Sequence, residues 1–209
     1  MRRAWPLLVA LVSAIPGLPA TAGAQPRTPA DRYDDAFRKA AKRQFGPAFD
    51  WRVFKAQGMA ESNIDPTARS GVGARGVMQL MPTTFREIAS KNPELTRIDD
   101  AESNIAAGVA YDRSLWLRWA QDSVEADRLP FMFASYNAGR GTLLQAQKRA
   151  RAEQLDPRAW PSIERVAATV PRWRHTETLG YVKRIGALQA GLDDRGRVIV
   201  NGVSARGKR

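Results

Sequence analysis

The chain of 209 residues contains no cysteine and a single histidine, His175. The first absence excludes thiolate nucleophiles, disulfide bonds and Cys-based metal sites, and it lets the chain fold in an oxidising compartment without cross-links. The second leaves any Ser-His nucleophilic scheme with one candidate base, and no G-x-S-x-G turn accompanies it. Zinc sites built from His and Cys are excluded together, and no EF-hand calcium loop is present. No metal and no other cofactor is therefore expected. Long hydrophobic runs are also missing. The apolar stretch from Trp5 to about Leu18 is interrupted by Pro16, Gly17 and Pro19, short of the roughly 20 residues a spanning helix needs.

That stretch, with Arg2 and Arg3 ahead of it and the small residues Ala22, Gly23 and Ala24 behind it, reads as a secretory signal over residues 1–24, cleaved near Ala24. The alternative is an uncleaved membrane anchor. With no cysteine to carry a lipid after the cut, the mature protein is expected to be soluble, without a stable membrane span, and periplasmic or secreted. Negative charge is comparatively scarce, with 33 Lys plus Arg against 21 Asp plus Glu. A basic exported protein is drawn to polyanions, which outside the cytoplasm are wall polymers, acidic glycans and membrane surfaces. No basic helix with interleaved aromatics marks a nucleic-acid platform, so nucleic acid is not an expected partner.

Residues 25–32, with Pro26 and Pro29, read as a flexible lead-in. One domain over residues 33–190 follows, and the Gly- and Arg-rich residues 191–209 read as a peripheral basic tail in which "RVIV" suggests a small strand. The domain reads as mainly α, with helices near residues 33–44, 49–62, 83–90, 131–136, 143–154 and 178–188, and a longer one containing Ile105, Val109, Leu115 and Trp116. In the second, Phe49, Val53, Ala56 and Ala60 repeat at helical spacing and form one apolar face. Thr84 with Glu87, and Asp99 with Glu102, follow the pattern of capping boxes. The run Val77 to Met81 reads as extended.

Between the second and third helices, "SGVGARG" places Gly71, Gly73 and Gly76 in the spacing G-x-G-x-x-G. A dinucleotide site requires that pattern after a strand and at the start of a helix within a βαβ unit. None of these conditions holds here. The glycines are better explained by turn geometry and close backbone approach.

Four segments, "AESNIDPTARSGVGARGVMQLMPTT", "ESNIAAGVAYD", "ASYNAGRG" and "ETLGYVKRI", occur in that order. Together they resemble the successive motifs of the soluble-type lytic transglycosylases, the goose-lysozyme-related family that cleaves peptidoglycan. The resemblance runs from Phe49 to Ile185 and implies a single lysozyme-like domain with little or no sheet. It makes Glu61 the catalytic acid and Ser62 its neighbour. Met78 and Gln79 become substrate contacts, Tyr136 and Asn137 the opposite wall, and Tyr181 a hydroxyl near the acid. Glu177 belongs to the last motif and is counted among the substrate-binding residues, with a structural role favoured. Val77 stands where Leu is usual and Ser135 where Ala is usual; neither change removes a polar group the chemistry needs.

Independent of the resemblance, Glu61 sits at the rim of the apolar face and in the last turn of its helix. Desolvation and the negative end of the helix dipole both raise a carboxyl's pKa there, as a general acid requires. Most glycosidases add a second carboxylate. Asp65, Glu102 and Glu177 are the candidates, yet none forms an obvious pair with Glu61. The resemblance implies that none is needed: the substrate's N-acetyl group assists, and the C6 hydroxyl of muramic acid closes a 1,6-anhydro ring in place of attack by water. A hydrolytic muramidase and a catalytically silent wall-binding module are the alternatives. The expected partner is the glycan strand of peptidoglycan, and a secretion, pilus or flagellar machine of the cell envelope is compatible. The protein is expected to be monomeric.

Overall fold

The computed structural model describes residues 28–122 and 124–199. The proposed signal segment, residues 1–24, lies outside them, as does the tail after residue 199. Eight α-helices are formed among the described residues. They are α1 (Asp34–Phe45), α2 (Arg52–Ser62), α3 (Pro82–Ala89), α4 (Ala101–Gln121), α5 (Arg128–Ala138), α6 (Arg140–Ala152), α7 (Trp160–Val166) and α8 (His175–Ala190). The only β pairings among them are isolated bridges, one of which joins Leu192 to Val198. No helix among the described residues is long and apolar enough to cross a membrane.

Helix α2 is the axis of the site. The sequence suggests one apolar face, but Val53 through Met59 are all buried, as expected of a helix wrapped on every side. Helices α1 and α8 pack against it. Phe54 and Ala56 are fully buried, and the loss of water contact by a side chain the size of Phe54 contributes about 2–3 kcal/mol. Because α2 is enclosed, its polar residues Lys55 and Gln57 are buried as well and need partners inside the protein. The helix begins at Arg52 and not at Phe49. Phe49 instead lies ahead of it, stacked against Phe54 with 5.6 Å between ring centroids.

The other helices form two apolar clusters. The larger surrounds α2 and includes Phe37, Met78, Ile105, Val109 and Ile185. The smaller joins Trp119, Phe131, Leu143, Ile163 and Trp173, so α7 in the stretch "RAWPSIERV" is a true core element. Its first helical turn carries Pro161, and Trp160, Ile163 and Val166 are its buried side chains.

Several local expectations are corrected. Pro82 opens α3 one residue early, where a missing N–H costs nothing, and no side chain caps that helix, so Thr84 and Glu87 form no capping box. At α4 the cap is Asp100, which accepts from the Ser103 amide at 2.8 Å; Asp99 instead pairs with Arg69 at 3.1 Å. The run 77–81 is not a strand: residues 76–79 form a turn, because Gly76 and Gln79 both have left-handed backbone, with φ of 75° and 45°, and Leu80 pairs with Arg75 only in an isolated bridge.

Both ends of the described chain are built in. Residues 29–31 form a 3₁₀ turn, and Asp31 Oδ1 accepts from the Lys55 ammonium at 2.7 Å. Asp34 Oδ1 lies 2.7 Å from the same nitrogen. From the other end, the Gly196 carbonyl accepts from Lys55 at 2.7 Å, and the Arg52 guanidinium donates to the Asp193 carbonyl at 3.2 Å. The lead-in and the tail are therefore structural over residues 28–31 and 191–199, and the tail contributes a bridge in place of a strand.

Candidate active site

Helix α2 stops after Ser62 because Asn63 and Ile64 both adopt left-handed backbone, with φ of 56° and 64°. The Ile64 amide closes back on Gly58 O at 3.3 Å. Asparagine tolerates this conformation, but a β-branched residue is strained there by about 1–3 kcal/mol. Ile64 is compensated by burial. This abrupt stop leaves Glu61 in the last turn of α2, next to Ser62, which bonds to the loop that returns through residues 65–81.

That loop is held by three helices. From α2, Ser62 Oγ donates to Val77 O at 2.9 Å. From α4, Asn104 Oδ1 accepts from the Met78 amide at 2.8 Å, and its Nδ2 donates to Arg75 O at 3.0 Å. From α5, the Tyr136 hydroxyl donates to Met78 O at 2.8 Å. Close approach is what the glycines provide. A Cβ on Gly76 would lie 2.6 Å from Asn104 Nδ2, and one on Gly108 would lie 2.8 Å from Met78 Cβ.

Glu61 is half-buried, and the Tyr181 hydroxyl donates to its Oε1 at 2.5 Å. Burial raises its carboxyl from 4.5 to about 7, against the Tyr181 hydrogen bond and the Arg184 charge, which both lower it. No Lys or Arg among the described residues forms an ion pair with it. The Tyr181 and Tyr136 hydroxyls are both pushed well above the usual phenol range, first by burial and then by the nearby Glu61 carboxylate. They act as neutral donors.

The residues singled out from the sequence separate into groups. Glu61 and Tyr181 are joined directly. Tyr136 and Ser62 hold the turn beside them. Met78 is fully buried under Gly108, so its side chain packs in the core, and its backbone carbonyl is the group bound by Tyr136. Gln79 donates its amide inward, to Gly76 O at 2.9 Å and Ala68 O at 3.2 Å. Asn137 accepts from Thr178 Oγ1 at 2.8 Å and, with Glu177, lines a neighbouring cavity of about 220 Å³. Glu177 is exposed and paired with Arg174 at 2.7 Å. Asp65 is exposed and bound to Thr67 at 2.7 Å.

The second carboxyl that interacts with Glu61 is Asp112, which the sequence reading left out. It is fully buried on α4 and accepts from Gln57 Nε2 at 3.3 Å. Burial first, then repulsion by Glu61, pushes it well above the usual carboxylate range. A signal did exist. Asp112 occupies the stripe of α4 marked by Ile105, Gly108, Leu115 and Trp119, where an acidic residue is out of place.

The Transglycosylase SLT domain matches residues 36–157, more than half of the chain. This chain belongs to the transglycosylase SLT family. It is 36% identical over 157 residues to membrane-bound lytic murein transglycosylase F of Desulfosudis oleivorans, covering 73% of this chain and 32% of that protein. It is 34% identical over 132 residues to the protein of the same name from Shewanella oneidensis, covering 63% and 27%. The chain thus spans about a third or less of the length of these relatives. Among solved structures it resembles the 70-kDa soluble lytic transglycosylase of Escherichia coli, with a TM-score of 0.57 and 25% identity over 76% of this chain and 23% of that one. The complex of the 70-kDa soluble lytic transglycosylase with bulgecin A matches with a TM-score of 0.56 and 25% identity, over 77% and 24%. The mainly helical, lysozyme-like fold is that of these enzymes.

Proposed function

We propose that this SLT-family chain is an exported lytic transglycosylase that cuts the β-1,4 bond between N-acetylmuramic acid and N-acetylglucosamine in peptidoglycan without water. The observation that carries the reading is Glu61: a carboxyl titrating at about 7, touched by a phenol hydroxyl and not neutralised by a cation. Such a group holds its proton near neutrality and can release it, as acid catalysis of glycoside cleavage requires.

In the first step Glu61 gives its proton to the bridging oxygen as the bond to the anomeric carbon breaks. The substrate's own N-acetyl oxygen stabilises the positive charge that develops there. Tyr181 then supports the carboxylate that remains, because its hydrogen bond favours the charged form. In the second step the C6 hydroxyl attacks the anomeric carbon, its proton passes to Glu61, and a 1,6-anhydro ring closes. The acid is restored and no water is consumed.

Export through residues 1–24, and action in the periplasm or beyond, follow from the N-terminal sequence and from the envelope polymer acted on. Service to general wall turnover or to an envelope-spanning machine is compatible with the same chemistry. The deciding experiment is mass analysis of purified peptidoglycan digested by the wild type and by Glu61→Gln. Anhydro-muramic ends from the wild type alone are expected. Ordinary reducing ends, heavier by one water, would make the protein a hydrolytic muramidase; binding without any cleavage would make it a wall-binding module.

A further inference from the structure

Gln57 and Glu61 are one turn apart on the same side of α2, and Asp112 reaches Gln57 from α4. All of Gln57 and Asp112 is sealed from solvent. Two of their polar atoms have no partner: Gln57 Oε1 and Asp112 Oδ2. Both are acceptors if Asp112 is ionised, and such a pair would leave a bare negative charge in the core with no cation bonded to it. Unpaired buried charge is among the most costly arrangements in a protein. One proton removes both faults. Placed on Asp112 Oδ2, it supplies a donor for Gln57 Oε1, while Gln57 Nε2 already donates to Asp112 Oδ1.

We propose that Asp112 is carried as the neutral acid, closing a two-hydrogen-bond acid–amide pair with Gln57 beneath Glu61, and that it is a positioning residue for that side chain. The pair bridges α2 and α4 at the turn preceding Glu61, so it fixes the helix end from which Glu61 projects. It also keeps a second negative charge away from the reacting carboxyl. This role rests on the reading of Glu61 as the acid; the protonation state of Asp112 does not.

The surrounding groups are consistent with a neutral acid. Glu61 from α2, Tyr136 from α5 and Tyr181 from α8 all interact electrostatically with Asp112 or with one another around it, and each is an acid. On its own helix Tyr111 adjoins it, with Glu87 of α3 and Arg118 acting on that phenol. Helix α1 turns Phe37, Ala40 and Ala41 inward, and its buried charge, Asp34, is engaged by Lys55. Among these groups no cation reaches the Asp112 carboxyl itself. Burial is what holds its titration well above the usual carboxylate range, against the Gln57 hydrogen bond, which lowers it, and with Glu61, which raises it further.

The sign of the linkage gives a test. A carboxyl whose pKa is raised on folding stabilises fully only below its ordinary pKa of 3.8, and that stability is lost as pH rises toward the folded value. Asp112→Asn keeps the shape and both hydrogen bonds but cannot ionise. Thermal unfolding of the two proteins from about pH 5 to about pH 8 should show the variant gaining on the wild type steadily as pH rises. A difference that is constant or shrinks with pH overturns the proposal. The alkaline limb of kcat/KM, set by Glu61, should stay in place in Asp112→Asn; a fall to lower pH would mean that an ionised Asp112 had been raising Glu61. Should the variant not fold, carboxyl-carbon NMR of aspartate-labelled wild type decides: one aspartate still protonated at pH 7 is expected, and titration of every aspartate below about pH 6 refutes the idea. Neither unfolding nor NMR depends on peptidoglycan cleavage, so a failure of the functional reading is seen separately.

Discussion

Lys55 and Glu61 lie on the same buried helix, and their surroundings differ in kind. Lys55 is fully enclosed, with Asp31 and Asp34 at 2.7 Å and the Gly196 carbonyl completing its set. Burial pushes Asp31 upward, but the Lys55 hydrogen bond, Thr28 and the Lys55 charge together hold it below the usual carboxylate range. Asp34 stays raised because burial outweighs Lys55. At the other end Glu61 has a phenol and no paired cation, and Asp112 has an amide. The contrast teaches how one helix serves two purposes. A charge supplied with opposite charges becomes part of the architecture, whereas an acid denied them keeps its proton to near-neutral pH and becomes available for chemistry.

Exchanging the character of the two ends should break this contrast. The largest effect is expected from Glu61→Gln: cleavage should fall by roughly 10²–10⁴-fold or more, read as anhydro-muropeptide release. Stability should move the other way. The folded pKa of about 7 lies above 4.5, so wild type loses stability between those values as pH rises; Gln does not ionise and is spared that loss, which differential scanning calorimetry at low and high pH will register.

Lys55→Met comes next. It strands two buried carboxylates, and removal of one partner from such a pair costs about 3–5 kcal/mol. Urea unfolding should show the loss near neutral pH and its partial recovery in acid, as Asp31 and Asp34 take up protons. Gly76→Ala, which forces a side chain into left-handed backbone and against Asn104, should cost roughly 1–3 kcal/mol in the same assay. The mildest change sharpens the comparison. Tyr181→Phe removes the one hydrogen bond that favours ionised Glu61, so the alkaline limb of kcat/KM should move to higher pH, with activity lowered roughly tenfold.

Much of the site is legible in the sequence for a physical reason. Helix periodicity puts Glu61 at the rim of an apolar face and in a last turn, the family motifs supply Tyr136 and Tyr181, and the glycine-rich loop declares itself through residues that turns and close contacts require. Asp112 and Gln57 are less visible, since whether a polar residue on an apolar stripe is buried depends on which helix covers it. Met78 is legible in part for a related reason: a motif gives its neighbourhood but not its direction, which Gly108 and Asn104 decide. The run from Val77 to Met81 has a strand's composition and a turn's backbone because Gly76 and Gln79 override its apolar character. Helix α7 is too short for its spacing to be distinctive. The 28–31 and 191–199 segments look peripheral in composition, and what makes them part of the fold is long-range: the buried ammonium they share, the Arg52 bond to the Asp193 carbonyl and the burial of Leu192 in the larger core cluster.

That shared ammonium has a further consequence. Oxygens from positions 31 and 196 converge on one nitrogen, so the stretch between them is clasped without a covalent staple. Without any cysteine, one lysine here fastens two segments 165 positions apart, a task that a disulfide performs in many other proteins, and removing the chain from Gly196 onward would take away the carbonyl half of that clasp.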